Sequence, residues 1–168
     1  MREILFRAKS KDNGRWYKGQ YINLHKTTYC FKEDYEKNPS NDIHQIVYEE
    51  IMDWGLPNKH LRVDVIPETI GEFTGIFDIK GKRIFEGDIL CKTFKLEWDN
   101  NEERKVYYVV KFHEGMFATF YKDYENGEWV DCEDDRLCKS LIEVDNLEIV
   151  GNVYDNPELL GGVICQSE

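Results

Sequence analysis

The sequence is poor in the residues that build most centres of chemistry. Serine occurs four times in 168 residues, and no serine lies in a nucleophile elbow. No glycine-rich phosphate loop is present. The five cysteines, Cys30, Cys91, Cys132, Cys138 and Cys165, are scattered, and no close pair has zinc-knuckle spacing. Their odd number and dispersal point to reduced thiols and a cytoplasmic protein. Cys132 and Cys138 with four dispersed histidines (His25, His44, His60, His113) make a poor tetrahedral set, so neither a metal nor another cofactor is expected. Long apolar runs are also missing. No stretch approaches the ~20 residues of a membrane helix, and Met1 to Lys11 alternates apolar and basic residues where a secretory signal would be continuously apolar. Basic charge is short: 22 Lys and Arg stand against 33 Asp and Glu, a net of −11, which repels nucleic-acid backbones at long range.

What is abundant is aromatic. Ten Tyr, nine Phe and four Trp favour strands and bulky two-layer cores. The length suits one domain, or one domain with a small appendage, and is enough for a hydrophobic core. The charge is laid out unevenly. Residues 1–26 carry seven Lys and Arg against two acids, a net of +5, which leaves −16 on the remainder.

Ile4 to Lys9 and Arg15 to Ile22 alternate around Asp12-Asn13-Gly14, which predicts a β-hairpin with a two-residue turn at Asn13-Gly14. That register sets Ala8 opposite Gly19 and Phe6 opposite Tyr21 on an apolar face. Lys9 then faces Lys18, Arg7 faces Gln20 and Lys11 faces Trp16 on a basic one. Residues 25–42 read as a long loop. In the next stretch Ile43, Ile46, Val47, Ile51 and Trp54 fit a helical face stopped by Gly55 and Pro57, although His44 to Tyr48 could form a short strand; the helix is the favoured reading. From Val63 onwards short strands are predicted at Val63–Ile66, Thr69–Thr74, Ile84–Lys92, Val106–Phe112, Met116–Tyr121, Glu128–Val130, Leu141–Val144 and Glu148–Val153. Asn156-Pro157 predicts a closing helical turn. The division expected is a hairpin and short-helix region over 1–66, a small barrel or sandwich over 67–160 and a loose tail over 161–168.

Three blocks carry a family resemblance. The first is Phe6-Arg7-Ala8 with Trp16 and Gly19. The second runs through Thr69, Gly71, Thr74, Gly75, Asp78 and Gly81 to Glu86-Gly87-Asp88. The third begins Ile149-Val150-Gly151-Asn152-Val153-Tyr154. In this order the sequence resembles the YopX family of phage and prophage proteins from end to end. The resemblance implies a mainly β protein with an SH3-like barrel in its C-terminal part, encoded in phage or prophage DNA of Gram-positive bacteria. It implies no activity and no catalytic residues.

Each candidate site has a plainer alternative. Glu86 and Asp88 could be an acid/base or metal pair, but Glu86-Gly87-Asp88 is better read as a turn into a strand, with Gly87 at φ > 0. Asp78 to Gly81 lacks the spaced ligands of a calcium loop and reads as a hairpin turn. The acidic run Asp123 to Asp135 could mimic DNA, with a solvated loop as its default. The basic face of Arg7, Lys9, Lys11, Lys18 and Trp16 could bind nucleic acid or dock on an acidic protein surface. Plain solvation is the commonest fate of such a face; of the two binding readings, docking within or between chains ranks above nucleic acid, because the remaining −16 opposes a polyanion. The leading expectation is therefore a non-catalytic accessory protein acting through protein contacts, with a homo-oligomer expected near Arg7, Lys9 and Lys18. The runner-up is an accessory factor in phage DNA metabolism.

Overall fold

The computed structural model describes residues 3–38, 42–95, 103–120, 138–140 and 146–160. The protein is mainly β, with antiparallel strand pairing throughout the described residues. It divides into two compact units, Met1–Glu72 and Phe73–Glu168.

The first unit contains β1 (Phe6–Lys9), β2 (Trp16–His25), β3 (Asp42–Glu50) and β4 (Lys59–Asp64), paired in the order β4-β3-β2-β1. A short helix, α1 (Lys32–Glu36), interrupts what the sequence presents as a plain loop between β2 and β3. Strand β2 changes partner midway: Trp16–Gly19 pair with β1, and Gln20–His25 pair with β3. Gly19 sits at the hand-over, where an added Cβ would lie 2.0 Å from the Val47 carbonyl oxygen. Only glycine lets the two backbones approach so closely. The strip of strands then returns on itself. Ser10 bridges to Val65, the Ile66 N–H donates to the Lys9 carbonyl at 2.9 Å, and the Lys11 N–H donates to the Asp64 carbonyl at 2.9 Å. Ala8, Ile46 and Val65, each 0% exposed, fill the interior, with Phe6, Tyr17, Tyr21, Val63 and Ile70 packed around them.

Two expectations for this unit need correction. The hairpin register is Phe6–Gly19, Arg7–Lys18, Ala8–Tyr17 and Lys9–Trp16, two residues away from the predicted one. In place of a two-residue turn, residues 11–14 form a longer loop, closed by Ser10 N–H to Arg15 C=O (2.9 Å) and Gly14 N–H to Ser10 C=O (3.1 Å). The Asn13 side chain stabilises this loop by accepting the Arg15 N–H at 2.9 Å. A slip of two preserves faces, since side chains alternate with period two. The apolar and basic sides therefore survive, but Lys11 moves into the loop. The second correction is the stretch 43–54, which is strand β3 followed by a loop, not a helix. Its backbone pairs with β2 on one side and β4 on the other, and Ile46 points into the core. Ile51 and Trp54, which a helical face would bury, are 83% and 103% exposed.

Strand β5 (Gly71–Phe77) leads into the second unit, which adds β6 (Arg83–Phe85), β7 (Asp88–Lys95), β8 (Glu103–His113), β9 (Met116–Phe120), β10 (Cys138–Ser140) and β11 (Glu148–Asn152). β6 pairs with β5, and the remaining five form a sheet in the order β10-β9-β8-β7-β11. Ile84, Leu90, Val110 and Leu147 form the core, flanked by Ile76, Tyr108, Phe117 and Ile149. The single strand predicted over Ile84–Lys92 is broken in two at Glu86-Gly87, where Gly87 adopts φ 80°. Residues Pro67–Thr69 form a 3-10 turn, so the strand expected from Thr69 begins at Gly71. The closing turn at Pro157–Leu160 forms with proline at its first position. The strands predicted at Glu128–Val130 and Leu141–Val144, and the tail 161–168, lie outside the described residues. Among the described residues, no helix is long and apolar enough to cross a membrane.

Candidate functional site

The basic face is built by alternation. Phe6, Ala8 and Tyr17 turn inward to the core, which obliges Arg7, Lys9, Trp16 and Lys18 to project from the other side of the same two strands. Arg7 stands opposite Lys18 and Lys9 opposite Trp16. The Arg7 guanidinium carbon lies 5.0 Å and the Lys9 ammonium 5.6 Å from the centroid of the Trp16 ring. Each such contact is worth about 0.5–1 kcal/mol at an exposed site, and together they hold two like charges around one indole. Thr69 fixes the strand beneath them: its Oγ1 accepts the Lys9 N–H at 2.9 Å and donates to the Ile66 carbonyl at 2.7 Å. Gly71 pairs with Arg7 from β5. Lys11 lies in the exposed loop, outside this lattice.

The motif residues of the second unit bond to backbone. Asp78, 7% exposed, accepts N–H groups from Lys80 (2.9 Å) and Lys82 (2.8 Å) on Oδ1 and from Ile149 (3.3 Å) on Oδ2. Burial pushes its pKa up, but the amides of Lys82, Ile149 and Lys80 and the Lys82 charge outweigh that and hold it below the ordinary Asp value. Gly81 closes the same turn, donating to the Asp78 carbonyl at 2.9 Å. Thr74 Oγ1 donates to the Ile84 carbonyl at 2.9 Å, beside the irregularity in β5 where Gly75 has φ 87°. Glu86 accepts the Phe112 N–H at 3.3 Å, and Asp88, 1% exposed, accepts the Phe85 N–H at 2.8 Å. Gly87 donates to the Val110 carbonyl and accepts from the Val153 N–H, both at 2.9 Å. Asn152 Oδ1 caps Tyr154 and Asp155, each at 3.0 Å, and a Cβ on Gly151 would meet Asn156 Oδ1 at 2.6 Å. Some of these contacts close local turns, and others tie one strand to the next. They supply the turn chemistry that the sequence suggests for Glu86-Gly87-Asp88 and Asp78–Gly81.

One polar strip escapes the sequence reading. On the core side of the β2–β3 ladder, Tyr21 Oη and His44 Nδ1 are 2.7 Å apart, and His25 Nδ1 and Asp42 Oδ1 are 2.7 Å apart. Tyr35 of α1 meets the His25 ring edge-on at 5.2 Å. The His25 hydrogen bond holds the Asp42 carboxyl below its ordinary value, and burial pushes the Tyr21 phenol up. Reading 43–54 as helix hid this strip, because only the strand register aligns Asn23 with His44 and His25 with Asp42. Among the described residues, no group of three His, Cys, Asp or Glu could hold a metal ion. Burial raises the Cys91 thiol pKa, which makes it inert. Cys132 and the acidic run Asp123 to Asp135 lie outside the described residues.

The whole chain is similar to a solved structure, the crystal structure of protein EF1440 from Enterococcus faecalis. The TM-score is 0.51 at 20% identity, over 95% of this chain and 99% of that one, a likeness of fold alone. No curated protein matches. The family model described as YopX protein matches residues 5–161, nearly end to end, and takes in the hairpin, the Asp78–Asp88 latches and the Gly151-Asn152 turn together. The chain belongs to the YopX protein family.

Proposed function

We propose that the protein is a non-catalytic accessory factor, encoded by phage or prophage DNA and working in the host cytoplasm, that acts through protein contacts on the basic face of its N-terminal hairpin. The observation that carries this reading is the pair of cations fixed around Trp16. Long basic side chains lose rotamer freedom when they bind. Here much of that ordering is already done, which favours a defined acidic protein surface over diffuse attraction. Tryptophan and arginine are also the side chains that dominate interface energetics. Nucleic acid fits less well: the chain carries −11 overall, and Trp16 already has cationic partners where a base would stack. For the second unit, we favour an SH3-like barrel, supported by its short antiparallel strands around one small core.

The test is affinity capture from a bacterial host lysate with and without nuclease, followed by mass spectrometry. The wild type is compared with the Arg7→Glu/Lys9→Glu/Lys18→Glu variant. A protein captured by the wild type, unaffected by nuclease and lost with the charge reversal, supports the reading. Capture that nuclease abolishes, together with tight binding of a single-stranded oligonucleotide at physiological salt, would favour the DNA-metabolism alternative.

A further inference from the structure

The loop between β3 and β4 presents apolar side chains that the described residues leave exposed. Trp54 is 103% exposed, Ile51 83% and Leu56 56%. A turn holds them at the tip, with the Leu56 N–H donating to the Asp53 carbonyl at 3.0 Å. Asn58 braces the loop base, its Nδ2 donating to Glu49 Oε1 at 2.9 Å and its Oδ1 accepting the Met52 N–H at 3.4 Å. Scattered exposed apolar residues need no explanation, but a fully exposed Trp with two aliphatic neighbours on a braced loop does. A buried Trp contributes ~150–250 Å², a large share of the ~800 Å² each partner gives to a standard interface.

The surroundings choose the occupant. Glu49, Glu50 and Asp53 flank the apolar tip, giving residues 49–57 a net charge of −3, with Lys59 across the ladder from Glu50 at the loop base. An anionic membrane surface would repel that rim. What matches it is a basic, aromatic surface, and the chain carries one on its own hairpin, in a segment whose net charge is +5. The contacts of Arg7 and Lys9 with the Trp16 ring fix where that charge sits.

We infer that the 51–57 loop of one molecule docks on the Arg7/Lys9/Trp16/Lys18 face of a second copy, with Trp54 as the apolar anchor and Glu49, Glu50 and Asp53 meeting the cations. This rests on the hairpin face being a protein-binding surface and names its partner as another copy of the same chain. Knob and socket are different patches. Two molecules can therefore exchange loops in a closed pair, or single contacts can run head to tail.

The experiment is sedimentation of the full chain over a concentration series. The wild type should associate, and Trp54→Ser should weaken association at least about thirty-fold, as for an interface hot spot. The hairpin reversal Arg7→Glu/Lys9→Glu/Lys18→Glu should also be monomeric. Mixing these two variants should restore a 1:1 complex, because each keeps the half that the other lacks. Adding Glu49→Lys/Glu50→Lys/Asp53→Lys to the hairpin reversal should restore self-association. A wild type that stays monomeric, or a Trp54→Ser variant that associates like the wild type, would overturn the inference. If lysate capture still depended on the hairpin in that case, the hairpin reading would stand and only the identity of its partner would fall.

Discussion

Replacing Asp78 tests the latch that ties the β5–β6 turn to β11. Its carboxylate gathers three backbone N–H groups, two from the turn and one from Ile149 across the unit. Lys80 and Lys82 are exposed, so water can satisfy their amides once the carboxylate is gone. Ile149 is half-buried and has less access to replacement. A hydrogen bond to a charged group contributes ~1.5–3 kcal/mol when fully formed and less where water competes. Asp78→Ala should therefore cost about 2–4 kcal/mol. Asp78→Asn keeps one acceptor but turns an amide N–H towards one of the donors, and should cost about 1–2 kcal/mol. The neighbouring Lys80–Glu148 ion pair is partly exposed and adds little. The pH dependence follows from the sign of the shift. The folded pKa is lowered, so the contribution is fully present above the unfolded Asp value and fades as pH falls through the folded one. Urea unfolding of wild type and Asp78→Ala at neutral pH and at about pH 3 measures both effects, on slopes that report exposed surface. A loss under about 0.5 kcal/mol at neutral pH, or a gap that does not narrow on acidification, would refute the latch.

Two glycines supply further tests. Gly87→Val places a branched side chain at φ 80°, with the first carbon already 3.3 Å from the Tyr154 ring. It should lose ~1–3 kcal/mol in chemical denaturation, and an unchanged midpoint would revive Glu86 and Asp88 as a chemical site. Gly19→Ala drives a methyl to 2.0 Å from the Val47 carbonyl oxygen. It should cost about 3 kcal/mol or more, or prevent folding of the first unit, as read by amide exchange at Ala8 and Ile46.

The parts legible in the sequence were those governed by nearest neighbours. The faces of the hairpin follow from alternation alone, so Arg7, Lys9, Trp16 and Lys18 share one side even with the register two residues out, while Lys11 falls in the loop. Asp78 and Gly81 announce a turn because their preferences act within four residues. Strand β3 was missed because Ile43, Ile46, Val47, Ile51 and Trp54 satisfy a helical period as well as a strand. The choice between them is made by β2 and β4, which lie outside any local window. The polar strip of Tyr21, His25, Asp42 and His44 depends on that same register and vanished with it. The apolar tip at Trp54 was hidden for the same reason, since a helix would have buried it.

The junction of β1 with β4 has a consequence for the order of folding. The β1–β2 and β3–β4 ladders join residues near one another in sequence, and can form as soon as each pair of strands exists. The Ser10–Val65 bridge joins chain positions far apart, and its loop-closure entropy must be met before any contact rewards it. During synthesis, the edge of β1 at Phe6 and Arg7 must wait for Gly71 and Glu72, and the Ala8–Ile46 surface must wait for Val65 to leave the ribosome. A nascent chain arrested just short of that residue would display an unpaired strand edge, and is the species on which a chaperone would act.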